Sequence, residues 1–316
     1  MGTIRLKRRR LRHMNEFYEK LDELYGTGNL AAVEQFILGA VDETGEHSPA
    51  RAGLYNELAG FYRGVSRYAE SADMFMRSLG IFESAGMGAT RQYATTLINL
   101  AGLYRLTGDA DKAIELFKDA IKRLENAGDG DDYAYASVLN NLALAYQSKG
   151  ESTQALEYAN KSLEIMRARG GNEREIASSL NNLASIRLQL GETDTADKLI
   201  SEALEIYGGM TEPDAHYAAA LTTKAVLMCR KGDYRGSLDG FRRALELTRR
   251  FFGENIEFAI CRRNISMVYE LSGDIASAIT ELYDAIRVME AIHGAEHASL
   301  SDARKKLDQL RRKSTP

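Results

Sequence analysis

Tryptophan is absent from this 316-residue chain, and proline, with three residues, and cysteine, with two, are scarce. The two cysteines, Cys229 and Cys261, cannot form the framework of several disulfides that stabilises small secreted domains. No run of about 18 apolar residues occurs, which is the length that crosses a bilayer. The start of the chain lacks the apolar segment of a secretory signal peptide. We therefore expect a cytoplasmic protein without membrane spans.

The chain is rich in apolar residues (44%) and charged residues (27%), a balance typical of a soluble folded protein. Within residues 137–165, apolar side chains recur at steps of three and four positions, which is the spacing of an amphipathic helix. Gly150 interrupts this pattern where the chain must reverse direction. The segment therefore predicts a helix, a glycine turn and a second helix.

This unit recurs along the chain with a nearly constant period. The turn glycines Gly108, Gly150, Gly191, Gly232 and Gly273 are separated by 42, 41, 41 and 41 residues. Three other positions of the unit hold only alanine or serine, and small side chains let two helix axes approach closely. These three columns are Ala59, Ala101, Ala143, Ala184, Ala225 and Ser266; Ser71, Ala113, Ala155, Ala196, Ser237 and Ala278; and Ser78, Ala120, Ser162, Ala203, Ala244 and Ala285.

The small-residue spacing resembles that of the tetratricopeptide repeat (TPR) family. A Gly-Asp-aromatic turn at residues 232–234 and a first-helix aromatic such as Tyr146 add to the resemblance, which covers about residues 50–292. The period is longer than the family's usual repeat of about 34 residues. This longer repeat, with the Asn-Asn-Leu-Ala sequences at 140–143 and 181–184, resembles the repeats of kinesin light chains and related bacterial proteins. The resemblance implies an all-α fold, a right-handed superhelical solenoid of antiparallel helix pairs.

On this basis the chain is divided into four parts. Residues 1–14 are interpreted as a basic N-terminal arm, 15–48 as a degenerate capping helix pair, 49–298 as six TPR-like repeats, and 299–316 as a C-terminal capping helix and tail. The end units of a solenoid have one neighbour only, so their outer faces are expected to depart from the repeat pattern.

The N-terminal arm carries six basic residues and no acidic one, which leaves a formal charge of −10 on the rest of the chain. Two interpretations stay open. The arm is a frayed or solvated helix end, or its residues 5–12 contact RNA, DNA or anionic lipid by neutralising phosphates.

The TPR resemblance implies that the first helix of each pair lines a concave groove. It places groove-facing side chains three positions before, one position after and four positions after the first small residue of each unit. Seven polar side chains at these positions form the candidate peptide-binding site: Asn56, Arg63, Arg105, Asn140, Gln147, Asn181 and Arg263.

The chemistry of these side chains suits an extended peptide. A side-chain amide can pair with both the N–H and the C=O groups of a peptide backbone. Arg63 and Arg105 can each hold a carboxylate in bidentate fashion, and Gly60 and Gly102 leave room for a ligand side chain. We therefore expect another protein or peptide as the partner, bound in the N-terminal half of the groove through an acidic residue or a free C-terminus.

A structural interpretation of the same residues stays open beside this one. The asparagines then fix repeat geometry by bonding adjacent helices, since most buried amides are satisfied internally. The arginines then pair with neighbouring acids such as Glu57 or Asp109, an exposed arrangement that contributes about 0 to 1 kcal/mol.

No pattern of catalytic or metal-ligating residues accompanies the groove. The five histidines are expected in the arm or in loops between repeats, and the spacing of His293 and His297 is spoiled for a metal pair by Gly294. We expect no enzyme activity, no cofactor and no metal. The favoured function is a protein- or peptide-binding adaptor or scaffold. The alternatives are a peptide-sensing regulatory protein and a self-associating scaffold, a homo-oligomer in which Phe251 and Phe252 pack array against array.

Overall fold

The computed structural model describes residues 2–126, 133–168, 172–210, 214–294 and 299–314, and for residues 2–14, 133 and 299 it describes the backbone alone. The regular structure of these ranges is entirely α-helical. The helices are α1 (Gly2–Thr27), α2 (Leu30–Asp42), α3 (Pro49–Gly64), α4 (Tyr68–Ser84), α5 (Arg91–Leu106), α6 (Ala110–Asn126), α7 (Tyr133–Ser148), α8 (Ser152–Ala168), α9 (Glu173–Gln189), α10 (Thr193–Gly208), α11 (Ala215–Arg230), α12 (Tyr234–Phe252), α13 (Ile256–Ser272), α14 (Ile275–His293) and α15 (Ser299–Ser314).

The helices pack in chain order. Each odd-numbered helix from α1 to α13 packs against the helix that follows it, each such pair packs against the next pair, and α15 packs against α14. The first helices of neighbouring pairs also contact each other, from α3 with α5 to α11 with α13. The predicted all-α, right-handed superhelical solenoid of antiparallel helix pairs is confirmed. No helix in the described ranges is long and apolar enough to cross a membrane.

The alanine and serine columns lie where the two helices of a pair cross. All eighteen side chains are at most 4% exposed, and most are fully buried. Where serine replaces alanine, its hydroxyl is satisfied by the partner helix, because Ser71 donates to the carbonyl of Ala59 (2.8 Å) and Ser162 to that of Ala136 (2.7 Å). A buried hydroxyl with an acceptor avoids the cost of a lost hydrogen bond with water. Serine is therefore compatible with the close crossing.

Larger side chains fill the space beside each crossing. Phe75, Phe117 and Phe241 each follow the second small column by four residues, one turn along the same helix, and each is fully buried. A small residue followed one turn later by a large one lets the helices approach at one level and interlock at the next. This alternation forms the continuous core of the array.

The turns between paired helices require a left-handed backbone. Gly108, Gly150, Gly191, Gly232 and Gly273 have φ between 77° and 90°, a region that glycine enters without a steric penalty. In the α3–α4 turn, the corresponding position is Ser66, with φ 63°, the one non-glycine residue at positive φ among those described.

The two ends of the array differ from its middle. Helix α1 continues from Gly2 to Thr27, so the backbone of the basic segment is continuous with the helix that packs on α2. At the other end, Leu300, Ala303, Leu307 and Leu310 of α15 are buried against the last pair. The four-part division of the chain stays a prediction.

The superhelix brings the sixth and seventh pairs against the first and second. Helix α12 contacts α1, and the rings of Tyr68 on α4 and His293 on α14 lie with centroids 6.3 Å apart. The loop between α12 and α13 reaches the α3–α4 turn, where the Asn255 side chain donates to the carbonyl of Gly64 (2.8 Å). The concave side is therefore closed across the array at this level, rather than open along its whole length.

Candidate functional site

A cavity of about 380 Å³ lies where the array closes. Its walls come from the first helices α9, α11 and α13, from the α3–α4 turn, and from residues at the ends of α5 and α12. Its polar lining includes Arg63, Asn181, Asn182, Ser185, Thr222 and Glu257. The volume lies in the range of sites that hold small molecules or short peptide segments, about 300 to 1,000 Å³.

Arg63 crosses from α3 to the next repeat. Its Nη1 donates to the backbone carbonyl of Asn99 on α5 (3.3 Å). The same Nη1 lies 3.2 Å from the position that a Cβ atom on Gly102 would occupy. The expectation that Gly102 leaves room for a ligand side chain is therefore wrong, because the arginine of the preceding repeat fills that space. A Cβ on Gly60 would have no atom within 4 Å.

Arg105 lies beside Arg63, and Glu257 is the acid whose charge acts on it. Its Nε is buried without a hydrogen-bond partner, and within the described ranges neither arginine forms a salt bridge. Burial lowers the pKa of Arg63, and the nearby charge of Arg105 lowers it further. Burial also lowers the pKa of Arg105, and the carboxylate of Glu257 partly offsets that effect. Two like charges are thus held together inside the array.

The acids proposed as partners in the structural interpretation are engaged elsewhere. Glu57 accepts a hydrogen bond from the hydroxyl of Tyr18 (3.1 Å). Asp109 accepts from the backbone N–H of Lys112 at the start of α6 (3.1 Å). The local pairing of Arg63 and Arg105 with these two acids is therefore wrong.

Glu257, in the first turn of α13, faces the same cavity. Its side chain is exposed to the solvent of the cavity. Desolvation raises its pKa above the ordinary range, and the Arg105 charge lowers it by a smaller amount. The charged form of Glu257 is thus disfavoured where the array places it.

Asn140 and Asn181 occupy equivalent positions on α7 and α9. They are 7% and 8% exposed, and the Oδ1 atom of each has no hydrogen-bond partner in the described part of the chain. The Nδ2 atom of Asn181 donates to Oδ1 of Asn182 (3.3 Å). A buried amide oxygen without a donor is uncommon in folded proteins. These two oxygens are therefore buried acceptors without a partner in the described ranges.

Two asparagines of the neighbouring column are satisfied within the fold. Asn99 donates to Oδ1 of Asn56 on the preceding repeat (3.0 Å), and Asn141 donates to the carbonyl of Ser137 one turn earlier (2.9 Å). Asn56, which was placed in the candidate site, thus accepts a bond that links α3 to α5. The structural interpretation fits these positions better than it fits Asn140 and Asn181.

The seven candidate residues are not brought into one constellation. Arg63 and Asn181 line the cavity, with Arg105 beside Arg63. Gln147 links α7 to α9 through a hydrogen bond from its Nε2 to the hydroxyl of Ser185 (3.2 Å). Arg263 is exposed on α13.

Sequence reasoning missed the residues that close the cavity. Asn255 caps α13 by accepting from the backbone N–H of Phe258 (2.9 Å), and Ser66 accepts from the N–H of Ile256 (3.0 Å). The ring of Phe252 lies where a side chain at Gly64 would be, 2.7 Å from its Cβ position. The available signal was Ser66 itself, since serine stands there in place of the turn glycine. The self-associating alternative placed Phe252 between arrays, whereas its ring contacts Gly64 of the same chain.

The remaining reactive groups offer little chemistry. His216 is the second residue of α11, not a loop residue as expected, and burial lowers its pKa. Desolvation raises the pKa of Cys261 to about 12 and also raises that of Cys229, so both thiols are protonated at neutral pH. No group of three or more metal-ligating side chains occurs among the described residues. The His13 side chain and His297 lie outside them.

Comparison with known proteins identifies the family. The tetratricopeptide repeat model matches residues 50–126, 134–208 and 216–291, well over half of the chain. No match is found among curated protein sequences.

Solved structures show the same fold at low sequence identity. BtubC (BKLC) from P. vanneervenii is 23% identical with a TM-score of 0.51, over 74% of this chain and 93% of that one. The APC/C hetero-tetramer Cut9–Hcn1 contains a chain 18% identical with a TM-score of 0.58, over 91% of this chain and 48% of that one. With the repeat model matched three times in succession, the protein belongs to the tetratricopeptide repeat family.

Proposed function

We propose that this protein is an adaptor or scaffold that binds a partner through an extended segment carrying a carboxylate, held on the concave side of the superhelix. Its family supports the general part of this statement, because tetratricopeptide repeats are protein-interaction modules. The specific part concerns the chemistry of the bound segment and is argued from the cavity.

The observation that carries the proposal is the pair of guanidinium groups of Arg63 and Arg105. Arg105 lies close enough to Arg63 to disfavour the charge of Arg63, and neither arginine forms a salt bridge in the described ranges, although the Glu257 carboxylate favours the charge of Arg105. An enclosed charge without a partner is costly, and a carboxylate supplied by a ligand relieves that cost by bidentate hydrogen bonding. The free C-terminus of a partner, or an acidic side chain, fits this requirement.

The asparagines support the backbone part of the recognition. The unpartnered Oδ1 atoms of Asn140 and Asn181 can accept hydrogen bonds from peptide N–H groups. Because the two residues stand at the same place on neighbouring first helices, they present acceptors in register along the inner wall. An extended chain offers N–H donors at regular intervals, which suits such a series.

The test is a binding screen with matched peptide ends. A fluorescent library of random eight-residue peptides is prepared with free C-terminal carboxylates and, in parallel, as C-terminal amides, and binding is measured by fluorescence polarisation. We expect peptides that bind at least ten-fold more tightly as carboxylates than as amides. The variant Arg105→Gln removes this preference because it removes the charge.

The asparagine contribution is tested with a double variant and a matched control. Asn140→Ala with Asn181→Ala is expected to weaken peptide binding while helicity by circular dichroism is unchanged. Asn160→Ala, on the exposed face of α8, removes an amide of the same kind and should leave binding unchanged. Equal binding by the double variant, or equal binding of carboxylate and amide peptides, contradicts the proposed mode of recognition.

A further inference from the structure

The contact that closes the array joins residues almost 200 positions apart in the chain. The side chain of Asn255 donates to the carbonyl of Gly64 (2.8 Å) while it caps α13. The hydroxyl of Ser66 accepts from the N–H of Ile256 (3.0 Å). The Phe252 ring covers Gly64, where even a methyl group would collide with it. Ser66 and Asn255 are both buried in the contact, at 7% and 4% exposure.

Ser66 is unusual for its position, which indicates that its side chain is needed there. Five later turns place glycine at the corresponding left-handed position, and a side chain at such a position costs about 1 kcal/mol or more. The α3–α4 turn is also the one that meets the α12–α13 loop. The hydroxyl contributes one of the two hydrogen bonds between them, so the strained serine and the long-range contact coincide.

The closed contact places α13 in front of the arginine pair. Ile256 and Glu257 line the cavity opposite Arg63, and the Glu257 carboxylate lies near enough to Arg105 to shift its pKa. A ligand carboxylate approaching Arg105 therefore meets both the volume of α13 and a charge of the same sign.

We propose that the closure between the α3–α4 turn and the start of α13 is a reversible autoinhibitory contact, which opens when a carboxylate-bearing segment binds at Arg63 and Arg105. This inference rests on the proposed function for its ligand. The closure itself stands on the contacts of Ser66 and Asn255 with residues of the opposite pair and can be tested without any peptide.

The closure is weak enough to be opened by a ligand. Between the α3–α4 turn and the start of α13 it consists of two hydrogen bonds and the contact of the Phe252 ring with Gly64, beside the α1–α12 contacts and the Tyr68–His293 ring contact. Each hydrogen bond changes the closed-to-open ratio by roughly two- to ten-fold. The carboxylate of Glu257 favours the open state, because its charged form is disfavoured in the closed array. Apparent affinity for a ligand falls in proportion to the open fraction, so loosening the closure should tighten binding.

Two substitutions loosen the closure and leave the helices intact. Ser66→Gly places in the α3–α4 turn the residue that five later turns already use, so it relieves backbone strain while it removes the acceptor for Ile256. Asn255→Asp keeps the oxygen that caps α13 but loses the N–H group that reaches Gly64. Asn172→Asp is the matched control, since Asn172 caps α9 through its Oδ1 (3.0 Å to the N–H of Arg174) and has no part in the closure.

The closure is measured as a distance between spin labels. Cysteines introduced at the exposed positions Ala69 and Ala291, near the ends of α4 and α14 that meet, are labelled in a chain whose native cysteines are replaced by alanine. We expect a short, narrow distance distribution in the parent chain and in Asn172→Asp. The Ser66→Gly, Asn255→Asp double variant should show a longer and broader distribution at unchanged helicity. An unchanged distribution in the double variant overturns the closure as a movable contact.

Peptide-binding measurements separate this inference from the proposed function. For a carboxylate peptide from the library screen, we expect the double variant to bind about ten-fold or more tightly than the parent chain, and the peptide to lengthen the label distance in the parent chain. An opened array with unchanged peptide affinity overturns autoinhibition while leaving the peptide site intact. If neither the parent chain nor the double variant binds any library peptide, the proposed function fails, and regulation of that site fails with it. The label distances still decide whether the closure moves.

Discussion

Replacement of Ser162 tests whether the helix crossings are as close as the small residues indicate. Ser162 lies on α8 where it crosses α7, is fully buried, and donates to the carbonyl of Ala136 at 2.7 Å. Ser162→Ala deletes the hydroxyl, and Ser162→Leu adds apolar volume where no space exists. The two variants therefore separate the hydrogen bond from the steric requirement.

The expected costs follow from the two contacts. An intramolecular hydrogen bond contributes about 0.5 to 1.5 kcal/mol net, and four other repeats carry a buried alanine at this position, Ala120, Ala203, Ala244 and Ala285. Ser162→Ala should thus lower the free energy of unfolding by about 1 kcal/mol. Overpacking a tight site costs about 1 to 3 kcal/mol, so Ser162→Leu, which also loses the hydrogen bond, should cost about 2 to 4 kcal/mol.

The assay is urea unfolding followed by far-ultraviolet circular dichroism. Glu164→Leu, two residues further along α8 and exposed, introduces the same leucine on the same helix away from the crossing. We expect the urea midpoint to fall in the order Glu164→Leu, Ser162→Ala, Ser162→Leu, with the control within about 0.5 kcal/mol of the parent. If Ser162→Leu is as stable as Glu164→Leu, the helices do not approach closely at the small columns, and the packing argument for every repeat is refuted.

Three further outcomes are expected. Lys306 and Lys313 lower the pKa of Glu270 and tie α15 to α13. This stabilisation is present above the unfolded pKa of about 4.3 and is lost as the pH falls through the lower folded value. The protection of α15 amides against hydrogen exchange, relative to their intrinsic rates, should therefore decrease in that range, and Glu270→Gln should show low protection already at pH 7. The raised pKa of Glu257 has the opposite effect on stability, because the folded state favours the protonated acid. Glu257→Gln should therefore raise the free energy of unfolding at pH 7. A lower urea midpoint would contradict the desolvation argument. Phe241 is fully buried in the core of the α11–α12 pair. Phe241→Ala should lower the free energy of unfolding by about 3 to 5 kcal/mol. A change in the urea midpoint equivalent to less than about 1 kcal/mol would show that the site is not packed as described.

The repeat itself was predictable because its causes are local. A turn that needs positive φ selects glycine, and a close helix crossing selects alanine or serine. These residue types therefore recur along the chain with the period of the repeat. Local contacts also fix the helix starts, since Ser48 caps α3 at Pro49 and Asn255 caps α13 at Ile256. Each of these depends on residues within one or two helical turns, which the sequence presents together.

The site was less predictable because facing the groove does not determine what a side chain contacts. Asn56 and Arg63 stand at groove positions, yet Asn56 accepts from Asn99 and Arg63 donates to its carbonyl, both on the next repeat. Such bonds depend on the rotation between neighbouring repeats, and the sequence does not encode that rotation in any single residue. Asn140 and Asn181 have the same side chain at the same kind of position but retain unpartnered oxygens.

The closure is harder still to read from a sequence, because it depends on a sum of such rotations. Four helix pairs, and so five interfaces between pairs, separate the pair of α4 from the pair of α14. A small change at each interface would move Asn255 away from Gly64 and Ser66. What the sequence does carry is the departure from the repeat at the place of contact, with serine at a glycine position in the turn that meets the α12–α13 loop. A solenoid whose interfaces contribute separately to its stability can adjust these rotations at modest cost, so the geometry that closes the array is also the geometry that a bound ligand can shift. The same accumulation of small rotations that hides the closure from sequence analysis is what allows the closure to move.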